Sequence, residues 1–291
     1  MAALAGPSTS TTTPATTESL KAATFQRLHP RVYFERFVAE GVRPDGRKGF
    51  GEARGVVVNF GSISTADGSC LVRLGDTTMV CGVKAEIAEP SLEDPNRGFL
   101  IPNVDLPALC SPKFKPGPPA EEAQVLSERL YDVLVGSDVL PLESLCIEPG
   151  KAVWAIYVDA MCINYDGNAF DAALVAMGAA LRDARLPVAK WVKEEERVVC
   201  VRKEERVPLK LTKTLVASSF GLFASTHLLA DPTAFEEPLL DTTLTVVVDD
   251  AGIVVAVTQM GSAGGEVMER CTAVAKERAG MVLGVIKGTS R

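Results

Sequence analysis

Residues 153–163 read VWAIYVDAMCI, apolar on both faces, and predict a buried strand from Val153 to Ile163. A turn follows at Asn164-Tyr165-Asp166-Gly167-Asn168. From about Ala169 to Arg182 the chain is apolar almost all round and rich in Ala and Gly, which predicts a helix packed closely at the centre of the domain. Upstream, period-two stretches predict strands over Val56–Phe60, Ser69–Leu74 and Thr77–Glu86, with turns at Ala66-Asp67-Gly68 and Gly75-Asp76. Apolar residues at 123, 125, 126, 130, 133 and 134 predict a helix over Glu121–Val135, with acids in its first turn. Leu145-Cys146-Ile147 leads through Pro149-Gly150 into the central strand, and Leu186-Pro187 ends the unit. Residues 191–210 alternate valine with charge, as in a solvated strand or linker. A second set of strands follows around 214–229, 242–248 and 252–258, the last two joined at Asp249-Asp250-Ala251-Gly252. The loop Gly261-Ser262-Ala263-Gly264-Gly265 lacks the GK[ST] of a P-loop and opens a closing helix of roughly Glu266–Val285. The order predicts an α+β fold in two halves of similar plan, each placing helices after sheets.

The N-terminal region follows neither period. Residues 1–20 are Ser, Thr, Ala and Pro without a basic residue, which predicts a disordered tail, taken here as 1–22. A plastid transit peptide is the alternative, since acids are absent before Glu18; the lack of arginine before Arg27 weighs against it. Leu28–Val42 reads as a short amphipathic helix ending at Gly41. The domain expectation is a tail over 1–22, a first lobe over 23–190 and a second lobe over 191–291.

The net charge of −7 argues against a broad face that coats nucleic acid, so any such contact is expected to be local or shared with partner chains. The seven cysteines are scattered, mostly in apolar runs, without a CxxC pair, which predicts reduced thiols in a cytosolic or nuclear setting. His29 and His227 lie far from any cysteine in sequence, so no metal site and no cofactor is expected. No apolar run reaches the ~18–20 residues that span a bilayer, so no membrane partner is expected.

Three places carry candidate chemistry. The strand–turn–helix at 153–182 has the geometry that binds phosphate, because free N–H groups and the helix dipole point at the loop. Its residues, Gly167, Asn168, Ala169, Phe170 and Asp171, include no Arg, Lys, Ser or Thr to hold an anion, and Asp171 repels one. Residues 87–120 are a connection of 34 residues with eight prolines, a length that is usually functional or interface-forming. Within it Lys113-Phe114-Lys115 combines cation and aromatic, as single-stranded nucleic acid sites do, although lysines on a solvated loop read the same way. Arg43 and Arg47 flank a Pro-Asp-Gly turn and either hold an anion or pair with carboxylates of their own domain.

The segments RPDGR (43–47), VNFGSISTADGSCLVRLGDTTMVCGVKAE (58–86), IPNVDLPALCSPKFKPGPPAEEAQV (101–125), CIEPGKAVWAIYVDAMCINYDGNAFDAAL (146–174) and DPTAFEEPLLDTTLTVVVDDAG (231–252) resemble the RNase PH family, and within it the non-catalytic RNase PH-like ring subunits of the eukaryotic RNA exosome. The resemblance implies the duplicated βαβα fold of RNase PH, of the ribosomal protein S5 domain 2-like type. It implies no independent catalysis. Active members hold phosphate with a Thr-Arg pair in a Gly-Gly-Thr-Arg-Thr-Ala loop, which falls here on Gly167 to Ala172, with Ala169 and Phe170 replacing the pair. Their two acids, in an Asp-x5-Asp arrangement, match Glu237 and Thr243, so one survives at most. The rival implication is an active phosphate-dependent exoribonuclease using Asp171, Glu237 and Asp241, with phosphate on Arg43, Arg47 or a neighbour's arginine. Implied partners are other RNase PH-like subunits in a six-membered ring, S1/KH cap subunits, a hydrolytic exoribonuclease and single-stranded RNA. Implied locations are nucleus, nucleolus and cytoplasm. Lys113, Lys115, Arg73 and Lys84 are the candidate RNA contacts at the pore, with Arg43 and Arg47 behind them. Edge strands near 69–86 and 242–258 are the candidates for pairing with ring neighbours.

Overall fold

The computed structural model describes residues 14–289. Two compact units are present, residues 1–50 and 51–291.

The first unit holds α1 (Pro14–Leu28) and α2 (Pro30–Ala39). Pro30 sits at the first turn of α2, where its missing N–H costs nothing. Phe25, Tyr33 and Phe37 stack at helical spacing, with ring centroids 6.4 Å (Phe25–Tyr33) and 4.9 Å (Tyr33–Phe37) apart. Part of the expected tail is corrected here: residues 14–22 belong to α1, while 1–13 lie outside the described residues. Composition alone does not report helix ends, because Ala, Glu, Leu and Lys from 15 to 22 favour a helix among the Ser and Thr.

The second unit contains β1 (Val56–Phe60), β2 (Gly68–Leu74), β3 (Thr77–Ala88), β4 (Phe99–Asp105), α3 (Glu121–Gly136), β5 (Cys146–Glu148), β6 (Ala152–Asn164), α4 (Ala169–Asp183), β7 (Arg185–Val192), β8 (Arg197–Pro208), β9 (Leu215–Phe223), β10 (His227–Ala230), β11 (Thr242–Asp249), β12 (Val254–Met260) and α5 (Gly265–Thr289). The first sheet runs β1-β2-β3-β6-β4, with β5 also on β6. The second runs β10-β9-β11-β12, and β7 pairs with β8 in a separate ribbon. β4 and β6 are parallel, so the chain between them needs a crossover, and α3 supplies it.

α4 packs on β2, β3 and β6 with one side and on β9 with another, and all but a few of its residues are buried. That explains its composition. Only Ala and Gly on several sides let two sheets approach one helix. Gly68 marks the closest approach: a Cβ there would lie 2.4 Å from Ala184 Cα and 2.6 Å from the Ala180 carbonyl oxygen.

Three elements differ from the hydrophobic reading. The long connection contains β4, hidden by Pro102 in its middle. β4 is an edge strand, the position in a sheet where proline is tolerated. Leu186 and Pro187 lie in β7, and the strand expected within 191–210 is present as β8, which pairs with β7 in a hairpin. Finally, 69–86 is not an edge: β2 and β3 are interior strands, as is β11, and of the expected edges only β12 is one.

Candidate functional site

The loop between β6 and α4 turns on two left-handed residues, Gly167 (φ +77°) and Asn168 (φ +54°). Gly167 is required twice over. Its φ disfavours any side chain, and a Cβ would stand 2.4 Å from Ala234 N and 2.5 Å from Thr233 C. The turn leaves Asn168 at the N-cap of α4, yet its side chain makes no capping hydrogen bond. Its Nδ2 instead donates to Asp171 Oδ2 (2.8 Å) and Asp231 Oδ1 (2.6 Å). Its backbone N–H, which an anion at this helix start would use, donates to Glu237 Oε1 at 2.7 Å.

The chain's own carboxylates thus stand where a phosphate would. Arg54 clamps Asp231 through Nε (2.9 Å) and Nη2 (2.8 Å), and its Nη1 donates to the Asp166 carbonyl at 2.7 Å. Thr77 Oγ1 donates to the Gly167 carbonyl at 2.7 Å. Asp171 accepts from Ser219 Oγ (2.7 Å), Ser219 N (3.0 Å) and Arg278 Nη1 (3.2 Å). Tyr165 donates its hydroxyl to Glu237 Oε2 at 2.6 Å. Arg54 pairs with Asp166 and Asp231, Arg278 pairs with Asp171, and the Lys113 charge acts on Glu237.

The ionisations follow from burial and partners. Burial alone would raise the Asp231 carboxyl, but the Arg54 hydrogen bonds and the Arg278 and Arg54 charges win and hold it well below the carboxylate range. Burial raises Glu237, against the lowering hydrogen bonds from Tyr165 and Asn168 and the Lys113 charge. Burial first, then the Glu237 charge, push Tyr165 far up, so its hydroxyl stays a donor. A carboxyl raised on folding favours the folded state only while protonated. Glu237 therefore withdraws stability as pH rises from its ordinary 4.5 through its folded value. Urea melts of wild type and Glu237→Gln from about pH 4 to about pH 8 check this: the variant should gain on the wild type as pH rises, and a constant difference rules it out.

The expected RNA contacts separate into groups. Phe114 is not a stacking platform. It is 6% exposed and packs edge-on against Tyr165, with centroids 5.3 Å apart. Proline-rich loops look solvated in sequence, but this one folds back onto the core. Phe114→Leu should destabilise the fold by about 1 kcal/mol, read by thermal melting, with RNA affinity unchanged. Lys113 is half-exposed, pairs with Glu122 Oε2 at 2.9 Å and lies over the rings of Tyr165 and Phe114. Lys115, Arg73 and Lys84 are exposed and, among the described residues, make no ion pair. Arg73 and Lys84 share the sheet face opposite the helices. Arg73 pairs with Thr78, near Tyr165 and Lys113, whereas Lys84 sits six residues along β3, roughly 20 Å away. Arg43 and Arg47 are buried, and Arg47 Nε is held by Asp45 at 2.6 Å, so the turn favours the pairing reading over a ligand.

Asp171 bears on the rival acid set. It is buried and accepts hydrogen bonds from Asn168, Ser219 and Arg278, whereas Asp241 is exposed. Arg54, Tyr165, Ser219, Asp231 and Arg278 escaped the sequence reading. The one available signal was Asp231 opening an acidic segment; nothing near Arg54 or Arg278 marks them.

Models of the 3′ exoribonuclease family (RNase PH), domains 1 and 2, match residues 52–187 and 213–278. The chain is 41% identical over 256 residues to the exosome complex component rrp43 of Schizosaccharomyces pombe, covering 87% of this chain and 94% of that protein. It is 40% identical over 227 residues to the exosome complex component Rrp42 of Methanopyrus kandleri, covering 78% and 83%. Among solved structures, a chain of the Archaeoglobus fulgidus exosome with RNA bound to the active site superposes with a TM-score of 0.77 at 32% identity, covering 87% of this chain and 96% of that one. A chain of an archaeal exosome core gives 0.74 at 28%, covering 93% and 99%. The α+β, RNase PH-like fold implied by the resemblance is the fold present.

Proposed function

This chain belongs to the 3′ exoribonuclease family of RNase PH, and we propose that within it the chain is a non-catalytic ring subunit of an RNA exosome, supporting 3′-to-5′ RNA processing and degradation, including rRNA maturation and mRNA turnover. The observation that carries the reading is the Glu237 carboxylate on the Asn168 N–H. Active members place phosphate at that helix start; here the position is taken, and Ala169 and Phe170 offer no cation beside it. Both ground-state phosphate binding and acid–base help are lost. The named relatives are exosome components, which supports the ring reading over an active exoribonuclease.

Within that reading the subunit is of the type also called Opa-interacting protein 2. It sits among five further RNase PH-like chains, beneath S1/KH caps, and passes single-stranded RNA to a separate hydrolytic exoribonuclease, in nucleus, nucleolus and cytoplasm. Lys115, Arg73 and Lys113 are its RNA contacts, local enough to suit a chain of net charge −7. The test is affinity purification of the tagged full chain from its own cells, then an RNA decay assay with and without phosphate. Recovery of RNase PH-like chains and S1/KH caps, with decay independent of phosphate, is the expected result. Recovery of this chain alone overturns it.

A further inference from the structure

An open cavity of about 390 Å³ lies between residues 51–56 and one face of α5. Val274, Arg278, Val282 and Val285 line it and recur at steps of four, four and three, which places them on that one face. Val56 and Phe220 contribute from β1 and β9. The lining is apolar apart from Glu52, Arg54, Glu277 and Arg278, and the volume is that of a small-ligand site.

Arg278 is the group that asks for an occupant. It is 6% exposed, yet among the described residues its one hydrogen bond runs from Nη1 to Asp171 Oδ2, at 3.2 Å. A guanidinium carries five N–H donors in a fixed fork. Most of those on Arg278 therefore find no acceptor in the chain, and they border the cavity. Arg54, which also lines it, differs: its Nε, Nη1 and Nη2 all donate to Asp231 or the Asp166 carbonyl. A donor withdrawn from water without an acceptor is costly, and an occupant that brings one recovers the cost.

Charge decides what kind of acceptor. Arg54 is offset by Asp166 and Asp231, and Arg278 by Asp171. Glu277 is exposed and, among the described residues, makes no ion pair, and Glu52 adds a second acid to the lining. The cavity thus carries unmatched negative charge. It disfavours a carboxylate or a phosphate on Arg278 and suits a neutral carbonyl oxygen there, with a cation on Glu277.

We propose that this cavity is a docking site for a segment of another protein in which an apolar residue is followed by Lys or Arg. The apolar side chain fills the space between Val56, Val274 and Val282. Its backbone carbonyl accepts from the unused Arg278 donors, and the following cation pairs with Glu277. The site goes beyond the ring reading and does not depend on it.

The probe is the acetylated, amidated tetrapeptide alanine-leucine-lysine-alanine. It is compared with the same peptide carrying glutamate for lysine, with one carrying alanine for leucine, and with a short oligouridylate. Binding to the full chain is followed by NMR at the Arg278 Nε–H and the α5 amides. The leucine-lysine peptide should shift both sets of signals and bind roughly fivefold or more tightly than either altered peptide. Glu277→Gln, at an exposed position, should bring the lysine and glutamate peptides to nearly equal binding while melting at the wild-type temperature. Arg278 is followed by its own signal, because replacing it would also strip Asp171 of a donor. Equal binding of the lysine and glutamate peptides to the unaltered chain, an unmoved Arg278 Nε–H, no detectable binding, or displacement of the peptide by oligouridylate overturns the site.

Discussion

Arg54→Met should lower the unfolding free energy by about 3–5 kcal/mol, the usual result of removing one partner from a buried ion pair. The Arg54 side chain is 8% exposed and Asp231 is fully buried, so water cannot replace the lost contacts. Asp231 would lose both guanidinium donors while keeping the backbone N–H of residue 54 and the Asn168 amide, and the Asp166 carbonyl would lose its Nη1 donor. The loss extends beyond one pair, because Arg54 ties the β6–α4 loop to the segment after β10. Equilibrium urea unfolding measures it, and a change under about 1 kcal/mol would contradict the buried-charge account. The sign with pH also follows. Asp231 is depressed on folding, so its contribution is present above the ordinary carboxylate range and lost as pH falls through the folded value. In Arg54→Met the acid limb of the stability curve should therefore be shallower than in wild type.

Phosphate-dependent release of nucleoside diphosphates by the purified chain should fall on the order of 10²–10⁴-fold or more below that of an active RNase PH. Restoring the anion-binding pair by Ala169→Thr with Phe170→Arg should not recover it. Glu237 would still hold the Asn168 N–H, and an arginine at 170 would stand against Arg129, whose guanidinium covers the Phe170 ring. Adding Glu237→Gln to the pair removes that competitor's charge. Phosphate binding by calorimetry should then appear without turnover, because Thr243, which matches the second acid, carries no carboxylate. Phosphorolysis by the unaltered chain would contradict the non-catalytic reading.

How much of this was legible in the residues differs by element. The buried run of β6 and the small-residue helix α4 announce themselves by nearly continuous apolar character, the amphipathic α3 by a period of 3.6, and the hairpin of β11 and β12 by its Asp-Asp-Ala-Gly turn. Within those elements the partners lie a few residues away, so local pattern suffices. The emptied phosphate loop was equally legible, since Gly167, Asn168, Ala169, Phe170 and Asp171 are consecutive. The pattern misled at Phe114, which proline-rich surroundings disguise as solvated, and at β4, where Pro102 argues against a strand that only its edge position permits.

What the sequence by itself determined is most of the elements, though not α1, β4 or β7, together with the two-part α+β plan and the absence of a cation in the loop. Only the tertiary structure decided what occupies that loop and what faces solvent. Arg54 and Asp231 stand 177 positions apart, Arg278 and Asp171 107, and Asn168 and Glu237 69. Such pairs depend on strand order and register, which fix neighbours across the sheets without leaving a local trace. The same holds for the sheet edge at β12: which strand ends a sheet is settled by crossover and packing, not by the residues of that strand.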